Sequence, residues 1–299
     1  MLSFGLKSRH LNLGRIRLQH LDVYQSLWAM ELRRPDGREW TTEERFEKIS
    51  SAGYRGVSLD PMVEDIDHYR DFGPWMEKYD LACLMNIFPC SIEDMVPLLE
   101  FAKEMKAPFV NVIGLMYPLT VEGAIPIIRE WLAISRDLKV PILFETHREC
   151  ITNDMFFTLQ LIDAIPEMRL CADLSHYVVN RELRIPISEE NQALFDRLIG
   201  RSDCLQGRVA NREQVQIPVT FKQHEEWVDL FRGWWKSNMR SWKERSGPDD
   251  RLAFLCELGP PPYGITGADG YEISDRWEEA LMLKGWAEDI WNDLANEEA

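Results

Sequence analysis

The 299-residue sequence has no apolar run approaching the roughly 18 consecutive residues that a membrane-spanning helix needs. Residues 1–14 contain basic side chains, but no continuous apolar stretch and no small-residue cleavage site. They therefore do not resemble a secretory signal. These absences lead us to expect a cytoplasmic protein that does not interact with a membrane.

Positive charge is scarce. The chain has 34 Lys and Arg residues against 50 Asp and Glu residues, which gives a formal net charge of −16. A surface of this sign repels phosphate backbones, so we expect no nucleic-acid partner. The apolar fraction of 45% and the charged fraction of 28% are typical of a globular domain and not of a disordered chain.

The sequence also lacks paired cysteines. Its six cysteines occur singly and none forms a C-x-x-C pair, which disfavours a redox motif or a zinc knuckle. Most lie in apolar runs, and we expect them to be buried reduced thiols of a cytosolic protein. They are Cys83, Cys90, Cys150, Cys171, Cys204 and Cys256.

The glycine-rich phosphate turn of an open doubly wound sheet is missing, because LWAMELRRPDG after the first apolar run has no G-x-G-x-x-G. The chain instead repeats a short apolar run followed by an amphipathic helical pattern, eight times. Continuous apolar runs are typical of parallel strands covered on both faces. The eight runs occupy residues 23–30, 56–60, 81–88, 109–114, 141–146, 169–174, 203–210 and 252–258.

Eight such units in one chain of this length predict a single α/β domain, a (β/α)8 TIM barrel. We place the barrel at residues 23–295 and an N-terminal extension at residues 1–22. The first helix is predicted to begin at a capping box formed by Thr41 and Glu44 and to end at Gly53. The later helices are predicted at 66–79, 91–105, 120–138, 154–165, 188–199, 223–242 and 271–294.

Reactive side chains of such a barrel lie at the C-terminal ends of its strands. The last four strands each carry an oxygen-bearing side chain there, and these are Glu145, Asp173, Gln206 and Glu257. Converging buried carboxylates repel one another unless a cation lies between them. An all-oxygen set favours Mn²⁺ or Mg²⁺ over Co²⁺ or Zn²⁺. The alternative is that each acidic residue serves separately as a helix cap or a loop salt bridge.

Two further side chains share faces with these four. His147 follows Glu145 by two residues and, if the strand continues, lies on the same face. It is a candidate general base or substrate ligand, or else a loop histidine that contacts the backbone. Arg208 has the same relation to Gln206, and it either holds an oxyanion or sugar oxygen of a substrate or neutralises the carboxylates. Earlier strand ends carry Trp28, Asn86 and Asn111, which suit the apolar face and hydroxyls of a sugar, or equally serve as core or turn residues.

Four segments resemble the xylose isomerase-like barrel superfamily, which includes sugar isomerases and epimerases, inosose dehydratases and AP endonucleases. They are FETHRECITND, ADLSHY, QGRVA and CELGPPPYG. The resemblance implies that Glu145, Asp173 and Glu257 bind a metal and that the two glutamates form an acid–base pair. It also implies that His176 contacts a substrate hydroxyl or supports the site, although a loop histidine held by a carbonyl would show the same spacing.

The sequence departs from many relatives at Gln206, where they have histidine. A neutral amide oxygen shifts the preference of the site from zinc towards harder ions. AP endonucleases bind zinc through several histidines, whereas this chain has only six histidines and a strongly acidic charge. DNA repair is therefore disfavoured.

The favoured hypothesis is a metal-dependent isomerase or epimerase that acts on a keto-sugar or polyol through an enediolate. Glu145 and Glu257 would move the proton, with His147 as the alternative base. The same first step also suits a lyase or dehydratase, resembling inosose dehydratases or deglycosidases that cleave 3-keto-glycosides. A non-catalytic sugar-binding or assembly subunit is the hypothesis of another class.

A tryptophan-rich helical pattern at 223–246 predicts an assembly. Trp234 and Trp235 are adjacent and so point about 100° apart on a helix. At most one can face the barrel squarely, and the other must meet a loop, another helix or a partner chain. We therefore expect a homo-oligomer, or a complex with a small partner subunit.

Overall fold

The computed structural model describes residues 19–32 and 38–297. Residues 1–18 of the predicted N-terminal extension lie outside the described residues, as do residues 33–37 and 298–299. None of the helices in the described part of the chain combines the length and apolar character needed to cross a bilayer.

Eight parallel strands close into a barrel in chain order, and the first strand pairs with the eighth. This confirms the predicted (β/α)8 architecture. The strands are β1 His20–Ser26, β2 Gly56–Leu59, β3 Ala82–Ile87, β4 Val110–Val112, β5 Ile142–Glu145, β6 Leu170–Ala172, β7 Ser202–Gly207 and β8 Arg251–Cys256.

Helices cover the outside of the barrel. The first begins at the predicted capping box, in which Thr41 accepts from the Glu44 backbone N–H and Glu44 accepts from the Thr41 N–H. The helices are α1 Thr42–Ser51, α2 Ile66–Arg70, α3 Gly73–Tyr79, α4 Met95–Glu104, α5 Val121–Leu138, α6 Met155–Ala164, α7 Ser175–Asn180, α8 Glu189–Ile199, α9 Glu225–Arg245 and α10 Arg276–Glu297.

Several element boundaries differ from the sequence prediction; for example, α10 begins at Arg276 and not at residue 271, and β7 ends at Gly207 and not at residue 210. The predicted helix 66–79 is two helices, because Pro74 lies in the first turn of α3 and has no N–H to continue α2. The additional helix α7 follows β6 directly. β1 ends at Ser26 and the 3-10 turn Trp28–Met30 follows it, because an apolar run does not distinguish a strand from a buried turn.

The side-chain alternation of the strands places the functional residues above an apolar layer inside the barrel. That layer includes Leu143, Cys171, Cys204 and Leu255. The residues two positions later on the same strands are the four predicted site residues, so they point inward one layer higher. All six cysteines are free, and five of them are buried.

Trp234 and Trp235 are both buried within the chain, at 2% and 1% exposure. Trp234 stacks on Phe195 of α8 with ring centroids 4.3 Å apart, whereas Trp235 meets Phe254 of β8 edge-on at 5.2 Å. The helix thus directs one ring to a neighbouring helix and the other to the barrel wall. The pair therefore needs no partner chain, and it no longer supports the predicted assembly.

Candidate active site and metal centre

Three carboxylates converge at the C-terminal end of the barrel. Glu145 ends β5, Asp173 directly follows β6 and Glu257 directly follows β8. One carboxylate oxygen of each lies within 4.8 Å of those of the other two, and all three side chains are buried. Parallel strands end at one rim, which is why residues so distant in sequence meet here.

Gln206 of β7 completes this group. Its Nε2 donates to Glu145 Oε2 at 2.5 Å. Its Oε1 is buried and has no hydrogen-bond partner in the described part of the chain. A buried acceptor without a partner calls for an explanation. Three carboxylates with a spare amide oxygen fit a hard divalent cation, so the residues present suit the ion that the sequence predicts.

Arg208 lies inside the carboxylate group and is 1% exposed. Its Nε donates to Asp173 Oδ2 at 3.0 Å, and its Nη2 donates to Glu257 Oε2 at 2.6 Å. The guanidinium therefore neutralises part of the negative charge, as one of the two hypotheses for this residue expected. With all three carboxylates ionised the group still carries excess negative charge, which leaves room for a cation.

The pKa values of these groups diverge. Burial, together with the charges of Glu257 and Asp173, raises the pKa of Glu145 well above its ordinary range. Burial raises the pKa of Glu257 to about 8, although Arg208 opposes this. Burial alone would raise the pKa of Asp173. Its interactions with Arg208 and His176 lower the pKa by more than burial raises it, so the pKa of Asp173 lies below the usual range. Without a cation, the two glutamates are therefore harder to ionise than the aspartate.

The two predicted histidines lie against each other, with ring centroids 3.9 Å apart. His147 Nδ1 contacts the Arg148 carbonyl, which can only accept, so His147 carries its proton on Nδ1 and leaves Nε2 free. His176 is fully buried, and its Nε2 lies 3.4 Å from Asp173 Oδ2 without hydrogen-bond geometry. Burial lowers both histidine pKa values, so both rings are neutral at neutral pH. With Glu145 they form a second group of donor atoms within 4.8 Å of one another.

A cavity of about 390 Å³ opens onto this group, large enough for a small polar molecule. Five of the predicted site residues contribute to its wall: Trp28, Glu145, His147, Arg208 and Glu257. The other lining residues are Asp60, Met62, Asp65, Tyr69, Phe88, Ile113 and Tyr263.

Asn86 and Asn111 lie behind the cavity wall. Asn86 Nδ2 donates to Asp60 Oδ1 at 2.8 Å and to Glu257 Oε1 at 3.2 Å, and Asn111 Nδ2 donates to Asn86 Oδ1 at 2.9 Å. Both side chains are buried, and neither is among the lining residues. The structure thus places them where they orient carboxylates. Whether they also contact a substrate stays a prediction.

Two residues of the site were not predicted. Asp60 directly follows β2 and lines the cavity, and burial raises its pKa to about 7. Its position at a strand end is the signal that would have found it. Tyr263 follows β8 in the PPPYG segment and meets Trp28 edge-on at 5.2 Å. Tyr263 lies in the CELGPPPYG segment that carries the resemblance, but only the path of that loop makes it a lining residue of the cavity.

The closed parallel eight-stranded barrel is a (β/α)8 TIM barrel, and solved structures share this fold. A xylose isomerase-like TIM barrel protein from Mycobacterium smegmatis in complex with magnesium superposes with a TM-score of 0.59 at 13% identity, over 90% of this chain and 97% of that one. A D-allulose 3-epimerase from a Methylomonas species in complex with D-allulose gives 0.54 at 11% identity, over 92% and 97%. The probable 3-DHS dehydratase of Bacillus anthracis gives 0.54 at 10% identity, over 89% and 97%.

No family profile and no curated protein matches the sequence. Identities of 10–13% establish a common fold and leave the activity of this chain open. The fold that the resemblance implied is therefore confirmed, while the role of each residue rests on the geometry of this site.

Proposed function

We propose that this protein is a divalent-metal-dependent enzyme that isomerises or epimerises a keto-sugar or a related polyol. The observation that carries the proposal is the convergence of three buried carboxylates beside a cavity that Glu145 and Glu257 line. The amide oxygen of Gln206, which has no partner among the described residues, adds a further oxygen donor. Three buried carboxylates that are ionised together are unfavourable unless positive charge offsets them, and Arg208 supplies only one such charge. The fold, which solved sugar epimerases share, supports this class of chemistry.

Glu145, Asp173, Gln206 and Glu257 would hold the cation. Their oxygen donors favour Mn²⁺ or Mg²⁺. When bound, such an ion polarises a substrate carbonyl and stabilises the negative charge that develops when the neighbouring carbon loses a proton.

Proton transfer would fall to Glu145 and Glu257, which approach the cavity from two different strands and both line it. In the metal-free site burial raises the pKa of both groups, and that of Glu257 to about 8, so both carboxyl groups can take up a proton more readily than an exposed glutamate. A base on one side and an acid on the other invert a carbon centre, or move a carbonyl to the next carbon. The free Nε2 of His147 is the alternative base.

The position of His147 also favours a second candidate, a lyase or dehydratase. A neutral histidine in the cavity wall, outside the group of three carboxylates, can take the proton while a carboxyl group protonates a leaving group β to the carbonyl. A dehydratase among the structures that share this fold supports the same alternative.

Hydrogen exchange with solvent tests the proposal. The protein loaded with Mg²⁺ or Mn²⁺ is incubated in D₂O with a panel of ketohexoses, ketopentoses and inososes, and products are followed by NMR and mass spectrometry. We expect deuterium next to the carbonyl of any substrate that is turned over, with an isomer or epimer as product. An unsaturated product would identify the lyase, and turnover without deuterium incorporation would reject the proposal.

Matched variants complete the test. Glu145→Gln should abolish exchange, whereas Glu279→Gln should leave it intact. Glu279 is also a buried glutamate with a pKa raised by burial, but it binds Thr220 and Ser274 near the start of α10 and does not line the cavity. Equal exchange in the two variants would show that the barrel carboxylate is not involved.

A further inference from the structure

Arg148 carries a charged side chain beside the cavity. It follows His147 after β5 and is half-buried, and no described carboxylate forms an ion pair with it. Elsewhere in this acidic protein arginines commonly have such partners, as Arg169 does in Asp203 and Arg197 in Asp163. The guanidinium carbon of Arg148 lies 5.3 Å from the ring centroid of Tyr263, which lines the cavity.

Arg208 contacts the same ring from within the site. Its guanidinium carbon lies 4.8 Å from the Tyr263 centroid. Its Nε and Nη2 are used by Asp173 and Glu257, but its Nη1 is buried and has no partner in the described part of the chain. A buried N–H without an acceptor is costly, so the site is built to receive an acceptor here.

We propose that the substrate carries an oxyanion, a carboxylate or a phosphate, that binds Arg148 and the Nη1 of Arg208 beside Tyr263. This rests on the proposed function, because it assigns an acidic keto-sugar to the same cavity. A sugar hydroxyl would satisfy Nη1 alone. Only an anion also pairs with the charge of Arg148, and guanidinium groups bind oxyanions through charge-assisted hydrogen bonds.

Non-reacting polyols test this without requiring turnover. Isothermal titration calorimetry compares sorbitol, gluconate and sorbitol 6-phosphate on the Mg²⁺-loaded protein, with excess free Mg²⁺ and constant ionic strength. We expect at least one of the two anions to bind about tenfold or more tightly than sorbitol. Preference for gluconate identifies a carboxylate, and preference for sorbitol 6-phosphate identifies a phosphate.

The arginine variants decide whether the proposed pair is responsible. Arg148→Gln should reduce the ratio of anion to sorbitol affinity towards one, and Arg148→Lys should restore part of it. Arg232→Gln is the matched control, because Arg232 also lies 5.3 Å from an aromatic ring, that of Trp286 on α10. An unchanged ratio in Arg148→Gln would overturn the proposal.

Failure of this proposal and failure of the proposed function give different results. If neither anion binds more tightly than sorbitol, the oxyanion site is rejected, and solvent exchange with neutral keto-sugars still tests the isomerase. If the anion preference depends on Arg148 but no acidic keto-sugar exchanges a proton, the oxyanion site stands and the proposed isomerase fails.

Discussion

Arg208 Nη2 donates to Glu257 Oε2 at 2.6 Å, although Glu257 is also one of the three carboxylates arranged to hold a cation. The guanidinium and the proposed ion therefore share a ligand. Such sharing fixes the carboxylate before the ion binds, because the fork of an arginine constrains the geometry of its partner. It also means that the charge of the site depends on how many protons its glutamates carry.

Metal binding is the first prediction. The purified protein should bind about one Mn²⁺ or Mg²⁺ ion per chain, because three carboxylates and one amide form one oxygen-donor set. Asp173→Asn or Glu257→Gln should weaken binding by about tenfold or more, which metal analysis and calorimetric titration measure. Glu279→Gln should keep the full stoichiometry, and metal binding that is equal in all variants would reject the site.

The second prediction concerns pH. The ordinary pKa of a glutamate side chain is 4.5. In the folded protein the pKa of Glu145 lies well above this value, and the pKa of Glu257 is raised to about 8. The folded metal-free protein therefore binds more protons than the unfolded chain between these values, and stability falls as the pH rises from about 4.5 to 8. A cation competes with these protons, so its stabilising effect should grow over the same range. Thermal melts at pH 6 and pH 8.5, each with and without Mg²⁺, measure this difference, and a larger gain in Tm at pH 6 would contradict it.

The third prediction separates proton transfer from binding. If His147 is the base, His147→Ala should lower kcat by about 10²–10⁴-fold, while the affinity for substrate changes only a few-fold. Steady-state kinetics and equilibrium binding measure the two quantities on the same preparation. His20→Ala is the control, because His20 is exposed at the N-terminal end of β1 and does not line the cavity. A loss in binding alone would make His147 a substrate contact.

The fourth prediction concerns the two adjacent tryptophans. Trp234→Ala and Trp235→Ala should each lower the free energy of unfolding by about 3–5 kcal/mol, because each ring is buried against other parts of the same chain. Denaturant unfolding at several protein concentrations measures this, and the loss should not depend on concentration. Phe156→Ala should cost less, because Phe156 is 47% exposed. A loss of unfolding free energy that depends on protein concentration would indicate that these rings lie in a subunit interface.

Assembly into a homo-oligomer, or into a complex with a small subunit, stays a prediction. Exposed apolar side chains, and not the two tryptophans, now support it. Tyr117 and Leu119, in the segment between β4 and α5, are 61% and 98% exposed. Exposed apolar clusters commonly mark contacts between chains. Light scattering at micromolar concentration should give more than the monomer mass, and Leu119→Ser should shift it downwards. A monomer mass for the unaltered protein would reject self-association.

The sequence by itself determined the eight strand–helix units and the four residues that meet at the rim. Both depend on local pattern and on one rule of parallel barrels, namely that all strands end at the same face. Glu145, Asp173, Gln206 and Glu257 were identifiable for that reason alone, and Asp60 was equally so.

Only the tertiary structure decided how the longer side chains are used. The flexible stem of Arg208 allows it to reach either a substrate or a carboxylate, and the distances to Asp173 and Glu257 settle its contacts. Tyr263 lies in a loop whose path no periodicity encodes. Trp234 packs against α8 and Trp235 packs against β8. The spacing in the sequence gives the angle between the two side chains on the helix, but it does not show which elements surround them.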